Sequence, residues 1–150
     1  MNKVQTLHRE AMDLADQAET SRLGGDSSSA DAFLRQAFEK ERAAALEISE
    51  QEDLEPTRSV LLRSAASLAL ECQELQESER LVALALSGHP PAEIARELET
   101  LHRKIQSAAL EQLFRLLQES ERLATLALSG QAKFARELKT LVRRIQSAAL

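Results

Sequence analysis

Apolar residues recur three and four positions apart along most of the chain, the spacing that places them on one face of an α-helix. A first stripe of this kind covers residues 3–23. The two glycines at 24–25 predict its end, because glycine adopts the left-handed conformation beyond a helix at little cost. The serines at 27–29 predict a second helix, and Ser28 with Asp31 forms a loose capping box.

Prolines mark the next boundaries. The second helix is predicted to end near Glu50, and Pro56 opens a third helix, where its missing N–H costs nothing. A clear break follows at the HPP sequence of 89–91. No glycine or proline occurs over 92–129, and a last helix is predicted from about Ala132 onward.

Two long segments allow two interpretations each. A tight turn at Gln73–Leu75 would divide 57–87 into a hairpin, although these residues form helices well and would also continue a single helix. The same alternative applies to 92–128, at Phe114–Gln118. There a continuous helix is favoured, because the sequence EQLFRLL has a high helix propensity.

The composition agrees with an all-α protein. Hydrophobic residues make up 43% and charged residues 29%, while aromatic residues make up only 3%. This scarcity of aromatic residues, with only 4 glycines and 3 prolines, excludes a β-sandwich or barrel. We therefore expect a chain that is at least about three-quarters helical with no strand, far above the helical share of an average globular protein.

Two blocks of sequence occur twice. QESERLVALALSG at 76–88 returns as QESERLATLALSG at 118–130, with 11 of 13 positions identical. ARELETLHRKIQSAAL at 95–110 returns as ARELKTLVRRIQSAAL at 135–150, with 13 of 16 identical. Natural tandem copies accumulate substitutions over their whole length. Here the two blocks are nearly identical while the segments that connect them differ, which favours an engineered or designed extension of a natural helical repeat. A recent natural duplication is the alternative.

The segment from 62 to 86 resembles a tetratricopeptide repeat. The family's large and small positions are filled by Leu62, Ala65, Ala66, Ala69, Ser78, Val82, Ala85 and Leu86. RSAASLALEC with ESERLVALALSGHPPAEIAREL is also similar to small cyanobacterial proteins of this type that have no assigned function. The family's aromatic residues are missing, and Gln73 replaces its turn glycine.

The resemblance implies antiparallel helical hairpins stacked in a right-handed solenoid, a tetratricopeptide-like all-α fold. The chain would form one helical repeat domain over 1–150, with a first helical pair at 1–55, a second repeat at 56–110 and a duplicated third repeat at 111–150. Stacked repeats of this kind bury a continuous core between neighbouring units.

The charge is divided unevenly along the chain. Residues 1–110 carry 20 acidic and 12 basic side chains, a net −8, and 111–150 carry 4 and 7, a net +3. The acidic part argues against nucleic-acid binding. No apolar run is long enough for a membrane span, and the charged first residues do not look like a secretory signal. With a single cysteine, we expect a cytoplasmic protein without membrane contact.

Candidate chemistry is sparse. Glu99 and His102 have the spacing of a helical metal-ligand pair, but the second copy replaces them with Lys139 and Val142. Cys72 lies on an apolar face and is interpreted as a small buried hydrophobe. No phosphate loop, nucleophile motif or metal-spaced cluster occurs. We therefore predict no catalytic residues, no cofactor and no metal, and a protein that is not an enzyme.

The sequence also predicts a binding groove along the third helix. Arg63, Ser64, Ser67 and Glu71 could line the concave side of a tetratricopeptide-like array. This supports one function hypothesis, a natural adaptor that binds a peptide.

The leading hypothesis is a non-enzymatic scaffold for protein–protein interaction or self-assembly. A repeat array normally ends in a helix with a polar outer face, because its last unit has no neighbour. Here the last helix carries an apolar stripe for which we predict self-association: Phe134, Leu138, Leu141, Val142 and Ile145. A two-fold homodimer is favoured. A head-to-tail contact, giving a ring or fibre, is the alternative.

Overall fold

The computed structural model describes residues 2–129 and 134–148. About 87% of these residues are helical and none of them forms a strand, so the all-α class is confirmed. Residue 132, the expected start of the last helix, lies outside the described residues. In chain order the elements are α1 Lys3–Leu23, α2 Ser27–Glu47, a short 3₁₀ helix Glu52–Leu54, α3 Thr57–Glu71, α4 Leu75–Leu86, α5 Ala92–Leu128 and α6 Phe134–Ala148.

The first interhelical connection follows the sequence except at one cap. Gly24 and Gly25 end α1, and Gly25 has a φ of 81°, the left-handed conformation expected there. The predicted Ser28 capping box is wrong. The carboxylate of Asp26 caps α2 instead, because it precedes the serines and accepts the Ser29 N–H at 3.0 Å. α2 also ends at Glu47, before the predicted Glu50.

The predicted turn between α3 and α4 is confirmed. Gln73 has a φ of 63°, and the Glu74 N–H donates to the carbonyl of Ala69 at 2.8 Å, which reverses the chain direction. Segment 57–87 is therefore a hairpin rather than a continuous helix. The side chain of Ser78 holds the hairpin closed by donating to the Ala66 carbonyl at 2.7 Å in the core.

Gln73→Gly is expected to raise the free energy of unfolding by about 1 kcal/mol, because a left-handed backbone costs a residue with a Cβ roughly that much. Chemical denaturation of the full chain measures the change. Glu79→Gly, at an exposed position inside α4, is the matched control and should lower stability by about 1 kcal/mol. A Gln73→Gly variant no more stable than the parent would contradict this interpretation of the turn.

Segment 92–128 takes the other alternative. α5 is continuous, so a hairpin at Phe114–Gln118 is wrong. The second copy runs from Ser107 to Gln118, one residue fewer than the matching stretch from Ser64 to Gln76. The helix-forming residues of EQLFRLL at 111–117 fill this stretch, so the chain continues as α-helix.

The chain divides into two compact units, 1–105 and 106–150. In the first unit, α1 and α2 form an antiparallel pair, and α2, α3 and α4 pack against their neighbours in sequence. Its core joins side chains of α1 to α4 with Leu98, Leu101 and Ile105 from the start of α5. The second unit is a helical hairpin whose core is small: Leu116, Leu123 and Leu141, with Leu126 and Phe134 packed against them.

A buried arginine connects three elements of the first unit. Arg58, in the first turn of α3, donates from Nε to the Ser49 carbonyl at 2.5 Å and from a terminal nitrogen to the Leu84 carbonyl at 2.8 Å. It also forms an ion pair with Glu55 at 3.1 Å. The guanidinium thereby satisfies backbone carbonyls of the residues after α2 and of the end of α4.

Candidate functional site

The predicted groove residues lie on one wall of an open groove in the first unit. Arg63, Ser64 and Ser67 of α3 face the 93–104 segment of α5 across a volume of about 780 Å³. Glu71, the fourth predicted residue, is exposed at the end of α3 and does not line this groove. The opposite wall supplies Glu93, Arg96, Glu97, Thr100, Leu101 and Lys104.

The charges of the groove are partly compensated. Arg63 forms an ion pair with Glu97 across it, and both side chains are partly exposed. The lining includes two further cations, Arg96 and Lys104, and one further carboxylate, Glu93. The groove is therefore weakly cationic and open to the surface, and it is not an enclosed apolar pocket.

The titratable clusters serve as links between helices. The buried carboxylate of Glu41 on α2 lies 2.8 Å from Nδ1 of His8 on α1. Hydrogen bonds from Arg80 and Arg42 lower the pKa of Glu77 to about 2, and the Arg42 contact joins α2 to α4 at 2.6 Å. These contacts connect neighbouring helices, and their geometry suits structural ion pairs.

The remaining candidate groups do not assemble into a reactive site. Burial raises the pKa of the Cys72 thiol, which is half-buried at the end of α3 and is therefore poorly suited to form a thiolate. Across residues 2–129 and 134–148, no group of three or more His, Cys, Asp or Glu side chains could hold a metal ion.

The five residues predicted for self-association divide into two groups. Leu141 is buried against α5, and Phe134 is partly buried beside it, so both belong to the core of the C-terminal hairpin. Leu138, Val142 and Ile145 are exposed on α6. The last three therefore remain available to a partner.

Sequence reasoning missed a second stripe, on α5. Leu110, Leu113, Phe114 and Leu117 are all exposed and follow the i, i+3, i+4, i+7 spacing of one helical face. Leu128 extends the stripe and is 91% exposed. The spacing is visible in EQLFRLL, but helix propensity does not indicate which positions of a helix are covered by neighbours.

Ion pairs occupy one side of the C-terminal hairpin. Arg122 of α5 lies 2.8 Å from Glu137 of α6, and Arg144 contacts Glu119. The partner of Arg122 precedes the partner of Glu119 along α6, so the two helices are antiparallel. These four charged residues all lie on the same side of the contact between the helices.

The apolar stripes lie on the opposite side. With successive helical residues about 100° apart, Leu113, Leu117 and Leu128 lie across the Leu116–Leu123 line from the ion-paired side chains of α5. On α6, Leu138, Val142 and Ile145 likewise lie on the side of Leu141 that is opposite the ion-paired side chains. The two stripes therefore form one continuous surface, the open face: Leu110, Leu113, Phe114, Leu117, Leu128, Leu138, Val142 and Ile145.

Comparison with the first copy shows what the open face lacks. Leu98 and Ile105 are 0% and 3% exposed in the core of the first unit. Their counterparts forty residues later, Leu138 and Ile145, are 39% and 45% exposed. The apolar side chains of two nearly identical helical segments are thus buried by neighbouring helices in the first unit and exposed in the second.

Comparisons of the chain with protein-family models, with curated proteins and with solved structures found no match. Within the part of the chain that the structure describes, no helix combines the length and hydropathy needed to cross a membrane.

Proposed function

We propose that the protein is a non-enzymatic helical scaffold that associates with itself through the open face. The observation that supports this is the placement of large apolar side chains. Among the described residues, eight of the eleven exposed ones lie in the C-terminal hairpin, all on the open face. The other three, Leu23, Leu54 and Leu86, are scattered over the first unit.

The size of the open face favours a macromolecular partner. Eight large side chains, about half exposed on average, present several hundred Å² of apolar surface. The largest patch on a typical monomer is about 300–600 Å² and often functional, and a stable interface takes about 800 Å² from each partner. Leaving such a surface in water is unfavourable by about 25 cal/mol per Å².

Val142→Glu is expected to abolish self-association, because it places a charge in the middle of the apolar surface. Sedimentation equilibrium of the full chain measures the effect as a loss of the concentration-dependent increase in mass. Val142 is exposed, so the variant should retain its helical circular dichroism spectrum.

Thr140→Glu is the matched control. It adds the same charge to the same helix, at an exposed position of α6 on the side of the ion pairs, across from the open face. It should self-associate as the parent does. Equal association of Val142→Glu and parent would count against the open face.

The proposal includes the origin and architecture of the array. The repeated blocks around rewritten connections support an engineered or designed extension of a tetratricopeptide-like array, with its hairpins stacked in a right-handed solenoid. A chain without membrane-spanning helices or reactive clusters in its described parts is compatible with a cytoplasmic scaffold.

A second candidate function is peptide binding in the groove lined by Arg63, Ser64 and Ser67. Three cations and two carboxylates line the groove, and this excess of one positive charge favours an extended acidic segment. Titration calorimetry with a short acidic peptide tests this, with Lys104→Glu as the variant expected to weaken binding. Absence of heat with the parent protein would remove this candidate.

A further inference from the structure

The open face is bordered by opposite charges. Glu121 lies at its outer edge on α5, and Lys139 lies at its outer edge on α6, each about 140–160° around its helix from the contact between the two. Both are exposed, and neither takes part in an ion pair among the described residues. The acidic border on one helix and the basic border on the other give the face a polarity.

The two charges are also at the same height along the hairpin. Arg122, next to Glu121, contacts Glu137, which is two residues before Lys139. Since one helical turn spans 3.6 residues, Glu121 and Lys139 lie within about one turn of each other along the axis. They are on opposite outer edges, so they do not meet within one copy.

One arrangement of two copies brings Glu121 of each copy next to Lys139 of the other. If two open faces meet and the copies are related by a half-turn about an axis parallel to the helices, α5 of each copy covers α6 of the other. This half-turn preserves height along the axis, so Glu121 of each copy lies beside Lys139 of the other. A half-turn about the perpendicular in-plane axis instead places α5 on α5 and α6 on α6, with like borders adjacent.

Two of the differences between the repeated blocks fall on this surface. Lys139 replaces Glu99 of the first copy, and Val142 replaces His102. Glu121 corresponds to Glu79, so the matching borders of the first copy are both acidic and would repel a second copy. At these two positions the second copy has an apolar residue on the face and an opposite charge at its border.

We propose that the partner of the open face is a second copy of the chain, and that the two C-terminal hairpins form a four-helix bundle in which α5 of each copy packs on α6 of the other. The apolar stripes fill its centre, and Glu121 and Lys139 flank both seams, as border charges do in coiled coils. This inference rests on the self-association proposed above and adds its partner and geometry.

Charge exchange in the full chain tests the geometry. Glu121→Lys and Lys139→Glu each convert both seams from attractive to repulsive, so each single variant should raise the dimer dissociation constant roughly tenfold at low ionic strength. The double variant Glu121→Lys with Lys139→Glu restores opposite charges and should dimerise as the parent does. Sedimentation equilibrium gives the constants, and circular dichroism confirms that each variant is folded.

Each other outcome overturns a distinct statement. If the single variants dimerise as the parent does while Val142→Glu remains monomeric, the open face pairs in another arrangement, such as α5 on α5, and this geometry is wrong. The geometry is also wrong if the single variants dimerise more weakly and the double variant does not regain the dimerisation of the parent. Masses that keep growing beyond the dimer would indicate a head-to-tail contact. A parent protein that is monomeric throughout contradicts the proposed self-association itself.

Discussion

Arg58→Met is expected to lower the free energy of unfolding by about 3–5 kcal/mol, the usual cost of removing one partner from a buried ionic contact. The methionine side chain keeps much of the aliphatic length of arginine but has no hydrogen-bond donors. The Ser49 and Leu84 carbonyls would lose the guanidinium, and each buried polar group left unsatisfied costs about 1–3 kcal/mol. Denaturant titration of the full chain, followed by circular dichroism, measures the loss.

Arg63→Met is the matched control, about one and a half turns further along α3. Its guanidinium pairs with a half-exposed Glu97 across the open groove, and exposed pairs contribute about 0–1 kcal/mol. The two variants make the same chemical change and differ in burial. Equal losses of stability would show that Arg58 does not organise the junction between the residues after α2 and the end of α4.

The second large effect is expected at Leu98. Leu98→Ala should cost about 2–5 kcal/mol, because the side chain is fully buried in the large core and its removal leaves a cavity. The same substitution at its repeat counterpart, Leu138→Ala, should cost less than about 1 kcal/mol in dilute solution, where Leu138 is partly exposed to water.

Protein concentration separates the two positions further. Association stabilises the folded chain in proportion to the logarithm of concentration, so the cost of Leu138→Ala should grow as the parent protein dimerises. The cost of Leu98→Ala should stay constant. Thermal melts at about 1 and about 100 μM compare them, and a concentration-independent cost at Leu138 would argue that the open face stays in water.

The helices and their limits could be predicted because the signals are local. Glycines 24–25, Pro56 and the HPP sequence each end or begin a helix through their own backbone preferences, and the structure follows them. The turn at Gln73 was predictable only through the resemblance to a tetratricopeptide repeat, since glutamine has no preference for a left-handed backbone. The repeat itself did not predict that α5 would be continuous, whereas the high helix propensity of EQLFRLL did.

The open face and the contacts of Arg58 depend on residues that are far apart in sequence, so the sequence predicted them only in part. The apolar stripe of α6 is visible in the sequence, but whether Leu141 or Leu138 would face α5 depends on the rotation of α6 about its own axis. The ion pairs Arg122–Glu137 and Glu119–Arg144 occupy one side of the hairpin, and no spacing rule relates residues on different helices. The role of Arg58 likewise requires carbonyls from separate elements to converge.

The mass of the unmodified chain in solution tests the proposed self-association most directly. Multi-angle light scattering from about 1 to about 100 μM should show a rise from the monomer mass of 16.6 kDa to a plateau at about twice that value. The plateau is expected because a two-fold pairing of open faces leaves no further apolar stripe exposed. A mass of 16.6 kDa at every concentration would contradict it.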